Sequence, residues 1–245
     1  MRLFGLIGYP LAQSFSKKYF DEKFSREGMT DCVFQNFPIE SITALPQLLH
    51  EHPELEGLAV TIPYKQSVIP FLSEVNIPAG LNACNCIRLS NGRLTGYNTD
   101  YIGFEKSFKP LLSSHHTRAL VLGNGGATAA VIFVLKQLHI PYTIVSRRLH
   151  HGSKLTYDQV DAACIADHNI IINTTPVGMY PHLDQSPSIP YAAITSKHLL
   201  YDLVYNPGKT QFLLKGEAQG AQIKNGGDML VLQAEENWRI WNEGK

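Results

Sequence analysis

The sequence predicts an α/β protein of two domains, an N-terminal α/β domain with a mostly parallel sheet followed by a doubly wound one. Three observations carry that prediction. At 245 residues the chain is long for one compact core and comfortable for two. Apolar runs of strand length alternate with stretches of helical spacing, as in parallel sheets covered by helices. The alternation pauses at a polar stretch and then begins again.

The elements follow in order. Residues 3–7 read as a buried strand ending at Gly8, and Ser16 is the expected N-cap of a helix running to about Gly28. A strand is predicted at 32–37, a short helix capped by Ser41 through about His50, and a third apolar strand at 57–62. Pro63 is placed as the N1 residue of a short helix. Residues 83–89 and 93–97, joined by Asn91-Gly92, read as a hairpin at the sheet edge. Residues 100–112 have helical spacing, and Ser113-Ser114-His115-His116 suits a boundary where the pattern restarts. Beyond it come a strand at 118–122, a Gly-rich turn, a helix to about Leu138, strands at 142–145, 169–173 and 199–204, a helix at 210–218 and a strand at 222–224. Residues 227–241 form one amphipathic helix with Leu230, Ala234, Trp238 and Trp241 at roughly helical spacing. With helix 100–112 counted in the second domain, the limits are 1–99, joined by the C-terminal helix 227–245, and 100–226.

Composition narrows the function. Hydrophobic residues at 44% and charged residues at 17% supply a core and argue against disorder. Lys plus Arg and Asp plus Glu balance at 21 each, so there is no broad positive field for nucleic acid, and any anion must be gripped locally. There is no run of about 18 apolar residues and no cationic lead-in, so no membrane segment and a cytoplasmic location are expected. Four cysteines make no disulfide framework, and Cys84 and Cys86 would share one strand face. These thiols with His115-His116 and His150-His151 show no tetrahedral ligand spacing, so no metal is expected.

Gly123-Asn124-Gly125-Gly126-Ala127 falls between a predicted strand and a predicted helix, the context in which a glycine loop lets the backbone approach a pyrophosphate. At the end of the next strand, where a carboxylate would hold the ribose hydroxyls, stand Ser146-Arg147-Arg148. An acidic side chain would repel a 2′-phosphate and a guanidinium binds it, so the cofactor expected is NADP(H) in a Rossmann-like domain. Residues 148–155 are too few for the usual crossover helix, which is predicted to be trimmed to a loop.

Polar side chains gather at strand ends and helix starts, the ligand edge of open α/β sheets. Ser14 and Ser16 follow the first strand, Thr61 to Lys65 the third, and Asn85 and Asn98-Thr99-Asp100 flank the hairpin. This mixture of donors and acceptors suits a small ligand ringed by hydroxyls. Lys65 and Asp100 are paired as the group that exchanges the hydroxyl proton when a hydride moves. The alternatives are a solvated Lys65 and an Asp100 that only caps its helix.

The chain resembles the shikimate dehydrogenase family from end to end. The resemblance rests on Gly8-Tyr9-Pro10-Leu11-Ala12-Gln13-Ser14-Phe15-Ser16, Val60-Thr61-Ile62-Pro63-Tyr64-Lys65, Asn85 and Tyr97-Asn98-Thr99-Asp100. It continues through the glycine loop, Asn173-Thr174-Thr175-Pro176-Val177-Gly178-Met179, Asp202-Leu203-Val204-Tyr205-Asn206-Pro207 and Met229-Leu230-Val231-Leu232-Gln233-Ala234. It implies reversible NADPH-dependent reduction of 3-dehydroshikimate to shikimate, in the biosynthesis of aromatic amino acids. By the same resemblance Ser14, Ser16, Thr61, Asn85, Asp100 and Gln233 hold the substrate, Tyr205 lies near its carboxylate, and Lys65 with Asp100 is the catalytic pair. Gly123 to Ala127 and Arg147 would bind NADP, with Thr174, Val204, Gly226 and Met229 lining the nicotinamide side. The last helix would return to the first domain, the site would lie between two lobes that close on it, and the chain would act as a monomer or homodimer. Departures from the family pattern are Gln13 for His, Lys17 for Pro, Ala59 for Asn and Ser146 for Asn. Rival readings are a quinate or NAD-using paralogue, a non-catalytic shikimate sensor, and a one-carbon folate dehydrogenase of the same two-domain plan.

Overall fold

The computed structural model describes residues 1–11, 14–149 and 154–244. The chain divides into two compact units, Met1–Ile102 with Val231–Lys245, and Gly103–Leu230.

The first unit contains β1 (Arg2–Gly8), α1 (Phe15–Arg26), β2 (Cys32–Pro38), α2 (Leu45–Glu51), β3 (Leu55–Val60), β4 (Glu74–Asn76), β5 (Cys86–Ser90) and β6 (Arg93–Tyr97), and the start of α3 (Asp100–Phe108). Its sheet has the order β2-β1-β3-β5-β6-β4. β1 lies parallel to β2 and β3, so both of its faces are covered and it shows no polar alternation. One face packs Phe4, Phe20, Phe34 and Trp241, and the other packs Leu3, Ile7, Leu45, Leu58 and Val60. The β5–β6 hairpin turns at Asn91 and Gly92, both at positive φ (50° and 71°), as a tight two-residue turn requires.

Three expectations fail locally. Ser14, not Ser16, caps α1: its hydroxyl accepts from the Lys17 N–H at 3.1 Å, and Ser16 lies inside the helix. No helix begins at Pro63. Residues 62–68 form turns and a 3-10 turn follows at Ile69–Phe71, because Pro70 has no N–H with which to continue a helical ladder. The hairpin is not the edge of the sheet, since β4 pairs outside β6, and its three exposed residues are too few to show a period.

The second unit contains most of α3, then β7 (Ala119–Leu122), α4 (Gly126–Gln137), β8 (Tyr142–Ser146), β9 (Leu155–Thr156), α5 (Ala162–Asp167), β10 (Ile170–Asn173), β11 (Leu199–Asp202), α6 (Gln211–Ala218), β12 (Gln222–Lys224) and the first turn of α7 (Gly227–Trp241). The sheet runs β12-β11-β10-β7-β8-β9 with every pair parallel, the doubly wound arrangement. Phe104 and Phe108 stack on each other and edge against Tyr201, and Ser113 to His116 lies within this unit. β9 and α5 are additions to the expected elements, both too short to register as periods. The trimmed crossover falls partly on residues 150–153, as do His150 and His151, outside the described residues; 147–149 and 154 carry no helix.

Candidate active site

The glycine loop leaves β7 at Gly123 with φ of +111°, a conformation that only glycine adopts cheaply. A Cβ at Gly123 would also stand 2.7 Å from Thr174 Oγ1 and 2.8 Å from a Thr175 methyl. Over Gly125 and Gly126, at the start of α4, a Cβ would meet no atom within 4 Å. The loop rests on a hydroxyl ladder absent from the sequence reading: Thr128 Oγ1 accepts from the Gly125 N–H (3.0 Å) and bonds Thr174 Oγ1 (2.8 Å), which donates to the Leu122 carbonyl (2.9 Å). Thr128 stands on the same helix start, and the hydroxyl one turn into the helix was its only sequence signal.

This loop opens on a cleft of about 920 Å³ within the second unit. Gly123, Asn124, Gly125, Ser146, Arg147, Arg148 and Thr174 line it together. The Ser146 hydroxyl is spent on the Arg148 carbonyl at 2.5 Å, which shapes the turn that presents the two arginines. Both arginines are exposed, and among the described residues no ion pair ties either to a carboxylate. An open glycine edge, a helix start with free N–H groups and two guanidinium groups in one cleft fit a phosphorylated dinucleotide. Gly126 and Ala127 are the first two residues of α4. Val204 and Gly226 are joined by a backbone bond (3.2 Å), and Met229 is buried in the first turn of α7; these three do not line the cleft.

In the first unit, Lys65 Nζ donates to Asp100 Oδ2 at 2.7 Å, with both side chains partly exposed. Asp100 does not cap its own helix. Asn98 does, its Oδ1 accepting from the Asp100 and Tyr101 N–H groups (3.1 and 3.4 Å). Both Asp100 oxygens are thereby left for side chains, and Oδ1 accepts from Asn85 Nδ2 at 2.9 Å. Asn85 is buried in turn: it donates to Thr99 Oγ1 (2.9 Å) and Gln233 Oε1 (3.4 Å) and accepts from the Thr99 N–H (2.6 Å). Asn237, which sequence reasoning missed, accepts from Thr99 Oγ1 at 2.7 Å and donates to Gln233 at 3.4 Å. Its signal was its place four residues after Gln233, on one face of a helix otherwise packed by Ala234 and Trp241.

Ser14, Ser16 and Thr61 are half-buried after β1 and β3, at the carboxyl ends of parallel strands. Thr61 is held by its N–H on the Ile7 carbonyl (3.0 Å), and a Cβ at Gly8 would lie 2.4 Å from its methyl, so Gly8 lets these two ends approach. Gln13 lies outside the described residues. Ala59 is buried in the sheet, paired with Cys86, in the core cluster that holds Phe4 and Trp241. Tyr205, in the second unit, is 40% exposed after β11. Among the described residues no group of three or more His, Cys, Asp or Glu is placed to hold a metal ion, and no helix is long and apolar enough to cross a membrane.

The sequence profile of the shikimate dehydrogenase substrate binding domain matches residues 6–87. The chain is 34% identical to the shikimate dehydrogenase (NADP(+)) of Carboxydothermus hydrogenoformans, over 98% of this chain and 91% of that one. It superimposes with a TM-score of 0.86 on a shikimate dehydrogenase crystallised with NADP+ (28% identity, 99% of this chain and 90% of that chain). The Thermus thermophilus enzyme crystallised with NADP(H) and shikimate gives a TM-score of 0.85 at 27% identity, over 99% of this chain and 94% of that chain. With relatives this similar along almost its whole length, the chain belongs to the shikimate dehydrogenase family.

Proposed function

We propose that this protein catalyses the reversible NADPH-dependent reduction of 3-dehydroshikimate to shikimate. The single observation that carries the reading is the Lys65–Asp100 contact at 2.7 Å, braced from behind by Asn85. An ammonium has three donors, and Asp100 occupies one; the others are available to an oxygen on the substrate ring. Lys65 therefore polarises the carbonyl and passes a proton to the oxygen as it becomes a hydroxyl. Asp100 fixes the ammonium and accepts from a neighbouring ring hydroxyl. Bound NADPH supplies the hydride for the carbonyl carbon, and NADP+ takes it back in reverse.

Ser14, Ser16, Thr61, Asn85 and Gln233 provide the remaining polar partners for the ring, and Tyr205 meets its carboxylate. The glycine loop takes the pyrophosphate, Arg147 and Arg148 the 2′-phosphate, and Thr174 lines the nicotinamide side within the cleft, with Val204, Gly226 and Met229 lining the nicotinamide beyond it. The substrate domain is the N-terminal part with the C-terminal helix, and the protein works in the cytoplasm as a monomer or homodimer. The test is absorbance at the reduced-nicotinamide band, with NADP and NAD each offered alongside shikimate and quinate. Turnover of shikimate with NADP is expected. Activity confined to NAD or to quinate would overturn the specificity, and none with any pair would overturn the enzyme.

A further inference from the structure

Asp202 ends β11 with no exposed surface, and among the described residues no ion pair reaches it. Its Oδ1 accepts from the Asn173 side-chain amide and from the Val204 N–H, both at 3.0 Å, and its Oδ2 accepts from the Thr210 hydroxyl at 2.5 Å. Asn173, at the end of neighbouring β10, carries this restraint onward. Its Oδ1 accepts from the Thr175 N–H (3.1 Å) and hydroxyl (2.6 Å), and its Nδ2 donates to the Val177 carbonyl (3.4 Å). Thr174, Thr175, Pro176 and Val177 form one wall of the dinucleotide cleft. Thr210 caps α6, and its Cβ would lie 3.3 Å from a Cβ on Gly178, so the third segment packs against the same wall.

We propose that Asp202 is a positioning residue for dinucleotide binding: its ionised carboxylate, accepting from Asn173, Val204 and Thr210 at once, holds the 174–177 wall and the turn after β11 in their binding shape. The proposal rests on the reading that the cleft takes NADP(H). The demand for a carboxylate is chemical. Three donors converge on two oxygens, and an amide there must turn an N–H towards Thr210 and replace charge-assisted bonds with neutral ones. Burial pushes the Asp202 carboxyl up to about 6, against the hydrogen bonds that hold it down. The Asp202 charge acts in turn on the Tyr191 phenol, which burial first and this carboxylate second push up. At neutral pH Asp202 is thus charged, and mild acid removes the charge.

The experiment uses the full chain, with NADP affinity followed by titration and kcat measured at saturating NADP, for wild type, Asp202→Asn and Thr210→Val. At about pH 8 each variant is expected to bind NADP about tenfold more weakly, the scale of one charge-assisted hydrogen bond. Turnover at saturation should change by less than about threefold, since no group touching the substrate is altered. The Kd ratio of Asp202→Asn to wild type should fall towards one as the pH drops below about 6, because a protonated carboxyl, like the amide, is neutral and turns one of its two former acceptors into a donor. Taking the ratio at each pH cancels titration of the nucleotide's own phosphate. Unchanged affinity in both variants, or a ratio independent of pH, would overturn the proposal. If Asp202→Asn does not fold, the affinity of Thr210→Val decides. A wild-type protein that binds no NADP would instead overturn the reading of the cleft.

Discussion

Lys65 is tied to the chain beside Cys84, whose N–H donates to the Lys65 carbonyl at 2.6 Å, and its side chain reaches Asp100 from a segment of turns rather than from a helix. Replacing it with Ala should lower kcat by at least about a hundredfold with folding intact, the scale of one positioned acid–base group. Activity that survives this change would remove the assigned chemistry. At the other site, Arg147→Ala should weaken NADP binding about tenfold and leave NAD almost unaffected, because only NADP carries the 2′-phosphate. Equal losses for the two nucleotides, read from their Kd values, would assign Arg147 to the pyrophosphate or to folding. Lys65, Asp100 and the arginine turn were legible because each stands at a strand end or helix start, where polar side chains in an apolar run have few structural reasons to be. Asn237 and Thr128 were not legible, because a buried amide or hydroxyl on a helix looks like any other polar residue until its partners from distant segments are seen.

At the level of elements, α7 shows how packing completes what periodicity begins. Trp241 is 1% exposed, lies 5.2 Å from the Phe4 ring and 5.3 Å from the Phe20 ring, and donates its indole N–H to the Ile87 carbonyl at 3.0 Å. β3 makes room for it with Gly57, where a Cβ would fall 2.5 Å from the indole. Trp241→Ala should therefore cost about 3–5 kcal/mol, a large cavity plus an orphaned carbonyl, measurable by urea unfolding. A loss under about 1 kcal/mol would mean that α7 is dispensable to the core of the first unit. The helix itself was plain from its 3.6-residue stripe, whereas β4, β9 and the turns after Pro63 were not. Two or three residues carry no period, and the absence of a helix after Pro63 depends on which backbone N–H groups find a carbonyl.

For the molecule as a whole, pH acts on stability through buried groups of opposite sign. Burial holds His116 and His168 below the ordinary imidazole value of 6.5, so both are neutral in the folded chain. As the pH falls below 6.5 the unfolded chain takes up protons that the folded chain refuses, and stability drops. Asp202 has the other sign: its folded value of about 6 lies above the usual 3.8, so its protonation favours the folded state and offsets part of that drop. The thermal midpoint should be flat at neutral pH and fall in mild acid, and His168→Gln should reduce the fall. His168 bonds the Cys164 carbonyl (2.7 Å) and Thr143 Oγ1 (2.8 Å), contacts that a glutamine can make without titrating. An identical acid slope in the variant would exclude His168 as a cause.

The sequence by itself determined that this is an α/β chain with a restarting strand–helix rhythm, a glycine loop at a strand end, an arginine turn after the next strand and a lysine and aspartate at the edge of the first sheet. Those features are local, written in spacing and in the backbone demands of glycine and proline. Only the tertiary structure decided that Asn98 caps α3 and so frees Asp100 for Lys65, that Asn85 donates to Asp100 while Asn237 holds Thr99 from α7, and that Asp202 accepts from Asn173, Val204 and Thr210 at once. The physical reason is that a buried hydrogen bond is defined by both partners, and in the network around Asp100 the partners lie up to 148 residues apart.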